Sequence, residues 1–156
     1  MTVRPAEDAE LDELASLWFN AWHETHAPIL PEALARLRTF ENFRDRVRHG
    51  LYDIRVTGPA GAPDGFCMIR GPELYQLFLA PATRGGGAAA ALLADAESRL
   101  RANGVARAHL GCAIGNDRAA RFYEKHGWAR TGVVVDRLET ASGPYLLEVW
   151  RYEKTL

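Results

Sequence analysis

Residues 77–90 read Leu77-Phe78-Leu79-Ala80-Pro81-Ala82-Thr83-Arg84-Gly85-Gly86-Gly87-Ala88-Ala89-Ala90. An apolar run enters a glycine turn, and an Ala/Leu-rich stretch follows at once. The pattern predicts a buried strand, a tight turn and a helix running to about Ala102, where Asn103-Gly104 supplies a left-handed cap. A helix N-terminus presents unpaired N–H groups and the positive end of the helix dipole. Glycines let the backbone approach a bulky anion, so a phosphate or pyrophosphate is the natural ligand of such a turn. Arg84 adds a positive charge. The plainer alternative is a tight turn ahead of a packing helix, but three adjacent glycines cost backbone entropy on ordering.

The P-loop pattern GxxxxGK[ST] is absent, which disfavours a nucleoside triphosphatase. Gly85-Gly86-Gly87-Ala88-Ala89-Ala90 satisfies the dinucleotide pattern GxGxxA. That pattern calls for an acidic residue after the next strand. Here the next strand, Val105 to Ala113, ends in Ile114-Gly115 with no carboxylate before Asp117. NAD is therefore a poor third choice.

Outward from this segment the elements alternate. Thr2 to Ala6 is expected as a short strand, with Asp8 capping a helix whose buried face carries Leu11, Leu14, Ala15, Leu17, Trp18 and Ala21. Two further helical pieces start at Pro31, with Leu34 and Leu37 inward, and at Glu41. Strands are expected at Leu51–Val56 and Phe66–Arg70, joined by Gly/Pro turn chemistry, and at Glu73–Leu79. After Val105–Ala113 comes a helix from Asn116 to His126 closed by Gly127. Strands from about Trp128 to Leu138 and from Tyr145 to Glu153 finish the chain. This order implies an α/β fold with parallel and antiparallel neighbours in one sheet.

The 156 residues argue for one domain, 1–156. Nineteen Lys plus Arg against twenty Asp plus Glu leave a net charge of −1, without the basic excess of a nucleic-acid binder. No apolar run approaches the roughly 20 residues of a membrane span. The N-terminus lacks a signal-peptide core. Cys67 and Cys112 form no CxxC pair, so a reducing compartment and a cytoplasmic location are expected. HExxH is absent near His23, Glu24 and His26, so no metal site is expected there.

Arg84-Gly85-Gly86-Gly87-Ala88-Ala89 resembles the Q/R-x-x-G-x-G/A acyl-CoA loop of the GCN5-related N-acetyltransferase (GNAT) superfamily. A second segment, Asn116-Asp117-Arg118-Ala119-Ala120-Arg121-Phe122-Tyr123-Glu124-Lys125-His126-Gly127-Trp128, is similar to the family's N-x-x-A-x-x-F-Y-x-x-x-G-F run, with Trp where Phe is commoner. Val3-Arg4-Pro5-Ala6 and the element order match as well, so the resemblance covers nearly the whole chain. It implies a mixed, mostly antiparallel central sheet of about six to seven strands flanked by helices, its fourth and fifth strands splayed. It implies acetyl-CoA as co-substrate and an amine, on a small molecule or a protein, as acceptor. Many members dimerise, so a homodimer is a further expectation.

Residue by residue, the resemblance places the pyrophosphate on the backbone of Gly85, Gly86, Gly87, Ala88 and Ala89 with help from Arg84. It places the pantetheine arm along Leu77 and Leu79, with the Leu79 N–H as oxyanion donor, and gives Asn116 a contact with the pantetheine amides besides its reading as a helix cap. Tyr123 becomes the acid for the leaving thiolate, since a tyrosine hydroxyl with a reference pKa of about 10 is protonated at neutral pH. One helical position separates it from Phe122, which is expected to pack inward. The alternative is a core tyrosine. Glu73, eleven positions before Arg84, stands where some branches carry a catalytic base. Alternation is expected to set it on one strand face with Tyr75, Leu77 and Leu79. The alternative is a solvated strand-end glutamate. Trp22, His23 and His26, at the junction of the first two helices, are acceptor-site candidates or simply a polar helix end. The rival from another class is a non-catalytic acyl-CoA-binding or sensor domain.

Overall fold

The computed structural model describes residues 2–156, and its elements follow this order closely. The strands are β1 (Arg4–Pro5), β2 (Ile54–Thr57), β3 (Gly65–Arg70), β4 (Glu73–Leu79), β5 (Arg107–Ala113), β6 (Ala129–Leu138) and β7 (Tyr145–Thr155). The helices are α1 (Leu11–Thr25), α2 (Glu32–Leu37), α3 (Phe40–Gly50), α4 (Ala88–Ala102) and α5 (Asp117–Lys125). The seven strands form one sheet in the order β1-β2-β3-β4-β5-β7-β6. All neighbours are antiparallel except β4 and β5, which are parallel.

Local departures have local causes. Asp8 does not cap α1. Glu7 and Glu10 form a capping box around the short 3-10 turn Asp8–Glu10, and the buried Glu10 carboxylate also takes Arg4 Nη2 at 2.7 Å and the Gly61 N–H at 3.1 Å. β1 is limited to Arg4–Pro5, with Ala6 N–H still donating to Ile54 O at 3.1 Å before the chain turns at Glu7. Leu51–Asp53 turns as a 3-10 segment, and β2 begins only at Ile54. Leu37 is only half-buried, whereas Leu34 is fully enclosed.

The sheet separates two apolar clusters. On one face α1, α2 and α3 bring Leu14, Trp18, Leu34, Phe43 and Val47 onto Ile54, Val56, Phe66 and Met68. On the other, α4 and α5 bring Leu92, Leu93, Ala96, Leu100 and Ala120 onto Cys67, Leu74, Leu110 and Tyr152. Each fully buried leucine contributes about 1.5–3 kcal/mol relative to exposure. Burial on both faces covers β3, while β5 is covered by the α4–α5 cluster, and the site lies at the centre of the sheet beside them.

Candidate active site

β4 and β5 share one paired position, Glu73 with His109, and then part. The gap becomes a cleft of about 280 Å³ bounded by β4, Leu110 to Ala113 of β5, Arg84 and Gly85, Phe122 and Tyr123 of α5, and Thr25 and His26 at the end of α1.

The backbone of β4 reverses its parity inside this cleft. His109 N–H donates to Pro72 O at 3.2 Å, so an even-numbered residue faces β5 there. Ala80 N–H donates to Asp64 O at 2.8 Å, so an even-numbered residue faces the β3 side at the far end. Regular alternation cannot produce both. The extra residue is Tyr75, because Leu74 pairs with Ile69 while Gln76 pairs with Met68, a β-bulge. Beyond it the N–H and C=O groups of Leu77 and Leu79 face the gap, where β5 supplies no partner.

The bulge also corrects the expected side-chain faces. Tyr75 and Phe78 pack with the α1–α3 cluster, while Leu77 and Leu79 pack with the α4–α5 cluster. Glu73 lies near Tyr75 and not with Leu77 and Leu79. Its carboxylate is 3.9 Å from Arg70 and stands at the closed end, outside the cleft wall. Burial pushes the Glu73 carboxyl up to about 7, with the Asp136 charge adding to the rise and Arg70 and Arg151 opposing it.

The glycine turn is open. Gly85 and Gly87 have φ of +84° and +89°, a region that glycine enters without strain. A Cβ built on either would meet nothing within 4 Å. Among the described residues, no amide from Gly85 to Ala90 donates to the backbone outside α4, whereas Thr83 and Arg84 N–H close the preceding turn and Ala91 N–H returns to Gly87 O. The start of α4 has no side-chain cap. Gly85 and Ala89 line the cleft, while Gly86, Gly87 and Ala88 continue the turn beside it. The cradle therefore fits a diphosphate.

Asn116 caps α5, accepting from Ala119 N–H at 3.3 Å, and also lines the cleft. Phe122 and Tyr123 both line it, but burial falls the other way from expectation: Tyr123 is 9% exposed, while Phe122 is half-buried. The Tyr123 ring is held against Trp128 and Tyr152. Burial raises its hydroxyl well above the ordinary tyrosine range.

Of the acceptor candidates, His26 alone lines the cleft. Burial pushes its imidazole down to about 4, and its Nδ1 has no partner among the described residues, so the ring is neutral at pH 7. Trp22 is 7% exposed and packs in the core, and His23 Nε2 is engaged by Arg38 O at 2.6 Å. Neither forms cleft wall.

Arg118 escaped the sequence reading. It lines the cleft from the first turn of α5, is exposed and makes no ion pair among the described residues. Its signal was a position two residues past the Asn116 cap, beside the glycine turn. Cys112 also lines the cleft, with its thiol pushed up to about 12 by burial.

Among the described residues, no helix is long and apolar enough to cross a membrane. The family model described as "Acetyltransferase (GNAT) family" matches residues 11–128. An uncharacterized N-acetyltransferase of Mycobacterium tuberculosis is 37% identical over 91 residues, 56% of this chain and 54% of the relative. An uncharacterized N-acetyltransferase of Mycobacterium bovis matches to the same extent. The match thus spans about half the length of these curated relatives. A GCN5-related N-acetyltransferase from Rhodopseudomonas palustris superposes with a TM-score of 0.78 at 19% identity, covering 99% of this chain and 95% of that one. The PaiA N-acetyltransferase of Thermoplasma acidophilum, solved with coenzyme A, gives a TM-score of 0.67 at 21% identity, with 99% and 98% covered. YncA of Salmonella typhimurium, solved with acetyl-CoA, gives 0.69 at 16%, with 99% and 93% covered. At these identities the structural likeness is one of fold.

Proposed function

This chain belongs to the GNAT acetyltransferase family, and from that premise we propose that it moves an acetyl group from acetyl-CoA to a primary amine by direct attack in a ternary complex. The observation that carries the reading is the row of uncommitted amides from Gly85 to Ala90 at the edge of the β4–β5 cleft.

Those amides and the positive end of α4 hold the diphosphate, and Arg84 and Arg118 supply charge beside it. The gap-facing backbone of Leu77 and Leu79 orients the pantetheine arm like an added strand, and Asn116 meets its amides from the other wall. The Leu79 N–H is the donor for the developing oxyanion. One such donor lowers the barrier by about 2.7–4 kcal/mol. Tyr123 gives its proton to the departing thiolate, and its raised affinity for the proton keeps it in the acid form at every physiological pH. Glu73, half-ionised near neutrality, takes the proton of the attacking amine through an ordered water, since its carboxylate stands outside the cleft wall. His26, uncharged, accepts a hydrogen bond on the acceptor side. Cys112 is protonated at neutral pH and so a weak nucleophile, which supports direct attack over an acetyl-cysteine route.

Calorimetry with coenzyme A and release of free thiol across a panel of amines test the reading together. Binding with turnover is the expected result. Binding with no turnover on any amine would leave a sensor domain, and no binding would end the proposal.

A further inference from the structure

The α1–α3 side of the cleft holds more positive charge than its immediate surroundings balance. Arg38, on the link between α2 and α3, is 2% exposed and donates from Nη1 to Glu139 O at 2.6 Å and to Asn42 Oδ1 at 2.9 Å. Neither acceptor carries a charge. Its Nε has no partner among the described residues. Arg46, one face along α3, stacks its guanidinium 4.1 Å from the centroid of the Trp18 ring and donates from Nη2 to the Tyr75 hydroxyl at 2.8 Å. Its Nε and Nη1 are buried and likewise unpartnered. Arg70 also stacks on Tyr75, its Cζ 3.8 Å from the ring centroid, with half of its side chain exposed. Nearby carboxylates are few. Glu139 takes Arg70 at 3.1 Å from an exposed position, and Glu73 is 3.9 Å from the same guanidinium. Arg38 is pushed down to about 10, by burial first and then by the charge of Arg46.

A stacking brace between Trp18 and Tyr75 explains one arginine. It does not explain a second buried guanidinium beside it, because unpaired buried charge is strongly disfavoured. Three buried N–H groups without acceptors point the same way. Arg46 and Arg70 both reach Tyr75, the member of this group that lines the cleft, while Arg38 bonds Asn42 and Glu139. Because the Tyr75 hydroxyl accepts from Arg46, its own proton is left to donate.

Resting on the reading of this site as an acetyltransferase, we propose that the acceptor is an amine carrying an anionic oxygen group, a carboxylate or phosphate. The group is received by the Tyr75 O–H and Arg70, with the Arg38–Arg46 pair supplying the positive field behind them. The same placement sets the acceptor's amine toward the thioester position along Leu77 and near the Glu73 end of β4. Polyamines and aminoglycosides, which bring only positive charge, are disfavoured by like-charge repulsion.

The test compares matched acceptors with saturating acetyl-CoA: β-alanine against β-alaninamide, and O-phosphoethanolamine against ethanolamine, with spermidine as a cationic control. In at least one series the anionic member should have the higher kcat/KM by about tenfold or more, the scale of a charge-assisted contact. The preferred series identifies the group. Tyr75→Phe and Arg70→Gln should each shrink the anionic-over-neutral ratio of kcat/KM by about tenfold, a ratio read within each variant because Arg70 also borders Glu73 and any change there acts on both members alike. Equal kcat/KM within both series, or a preference for spermidine, overturns the inference while leaving the acetyltransferase reading intact. Failure of coenzyme A to bind in a separate calorimetric titration overturns both.

Discussion

Arg84 donates from Nη1 to Glu24 Oε1 at 2.6 Å, so the cation at the glycine turn is already engaged by the last turn of α1. A diphosphate arriving at the turn competes with that carboxylate. The pair is partly exposed, 25% and 49%, and such pairs contribute about 0.2–1 kcal/mol. Glu24→Gln should therefore tighten coenzyme A binding by up to about fivefold, and Arg84→Ala should weaken it. Calorimetry at two salt concentrations checks both, and weaker binding by Glu24→Gln would mean the carboxylate positions Arg84 for the ligand.

Tyr123→Phe removes one oxygen from a buried ring whose packing against Trp128 and Tyr152 needs no hydroxyl. Stability and the dissociation constant for acetyl-CoA should change little. Loss of a general acid lowers kcat by about 10²–10⁴-fold. Steady-state kinetics beside equilibrium binding separate the two. Unchanged turnover would assign the thiolate's proton to water.

These residues also mark where the sequence was legible. The span of α4 and the cap of α5 were readable because Gly87, Gly104 and Asn116 act within a few residues of themselves. The bulge at Tyr75 was not, because it exists only in the register of β4 against β3, and nothing in Leu74-Tyr75-Gln76 distinguishes it from plain strand. With the bulge went the side-chain faces of β4, on which Glu73 parts from Leu77 and Leu79. The Glu24–Arg84 pair joins positions 60 residues apart, and Arg38 meets Glu139 across 101, separations that no local pattern encodes. Composition likewise hid the arginine cluster, since a net charge of −1 is a total over the chain and says nothing of where single charges lie.

Gly65 begins β3 directly opposite Leu79. A Cβ there would come within 2.6 Å of Leu79 Cδ2 and 2.8 Å of Thr57 Oγ1. Thr57 is fully buried and already committed to Asp64 at 2.7 Å, so Leu79 must yield. Gly65→Ala should cost about 1–3 kcal/mol of stability by overpacking. It should also reduce kcat, because the residue displaced is the one whose N–H faces the gap. Denaturant unfolding and turnover assays would reveal the coupling; a destabilised protein with full kcat would dissociate Leu79 from the oxyanion role.

Glu73 joins stability to activity with opposite signs. Its folded carboxyl titrates near 7, above the ordinary glutamate range, because burial opposes the charged form. Between the ordinary value and 7 the folded protein holds a proton that the unfolded chain has released. Stability from this group is therefore present at low pH and lost as pH rises through 7. At pH 8 the ionised group costs on the order of 1–3 kcal/mol, which Glu73→Gln should restore as a higher Tm. Activity runs the other way. The base acts as the carboxylate, so kcat/KM in the native protein should climb as pH passes 7, and Glu73→Gln should abolish that limb. Thermal unfolding and pH–rate profiles on the same two proteins read both quantities. A variant more stable at pH 8 with an unaltered profile would make Glu73 a buried structural carboxyl and assign the base to another group.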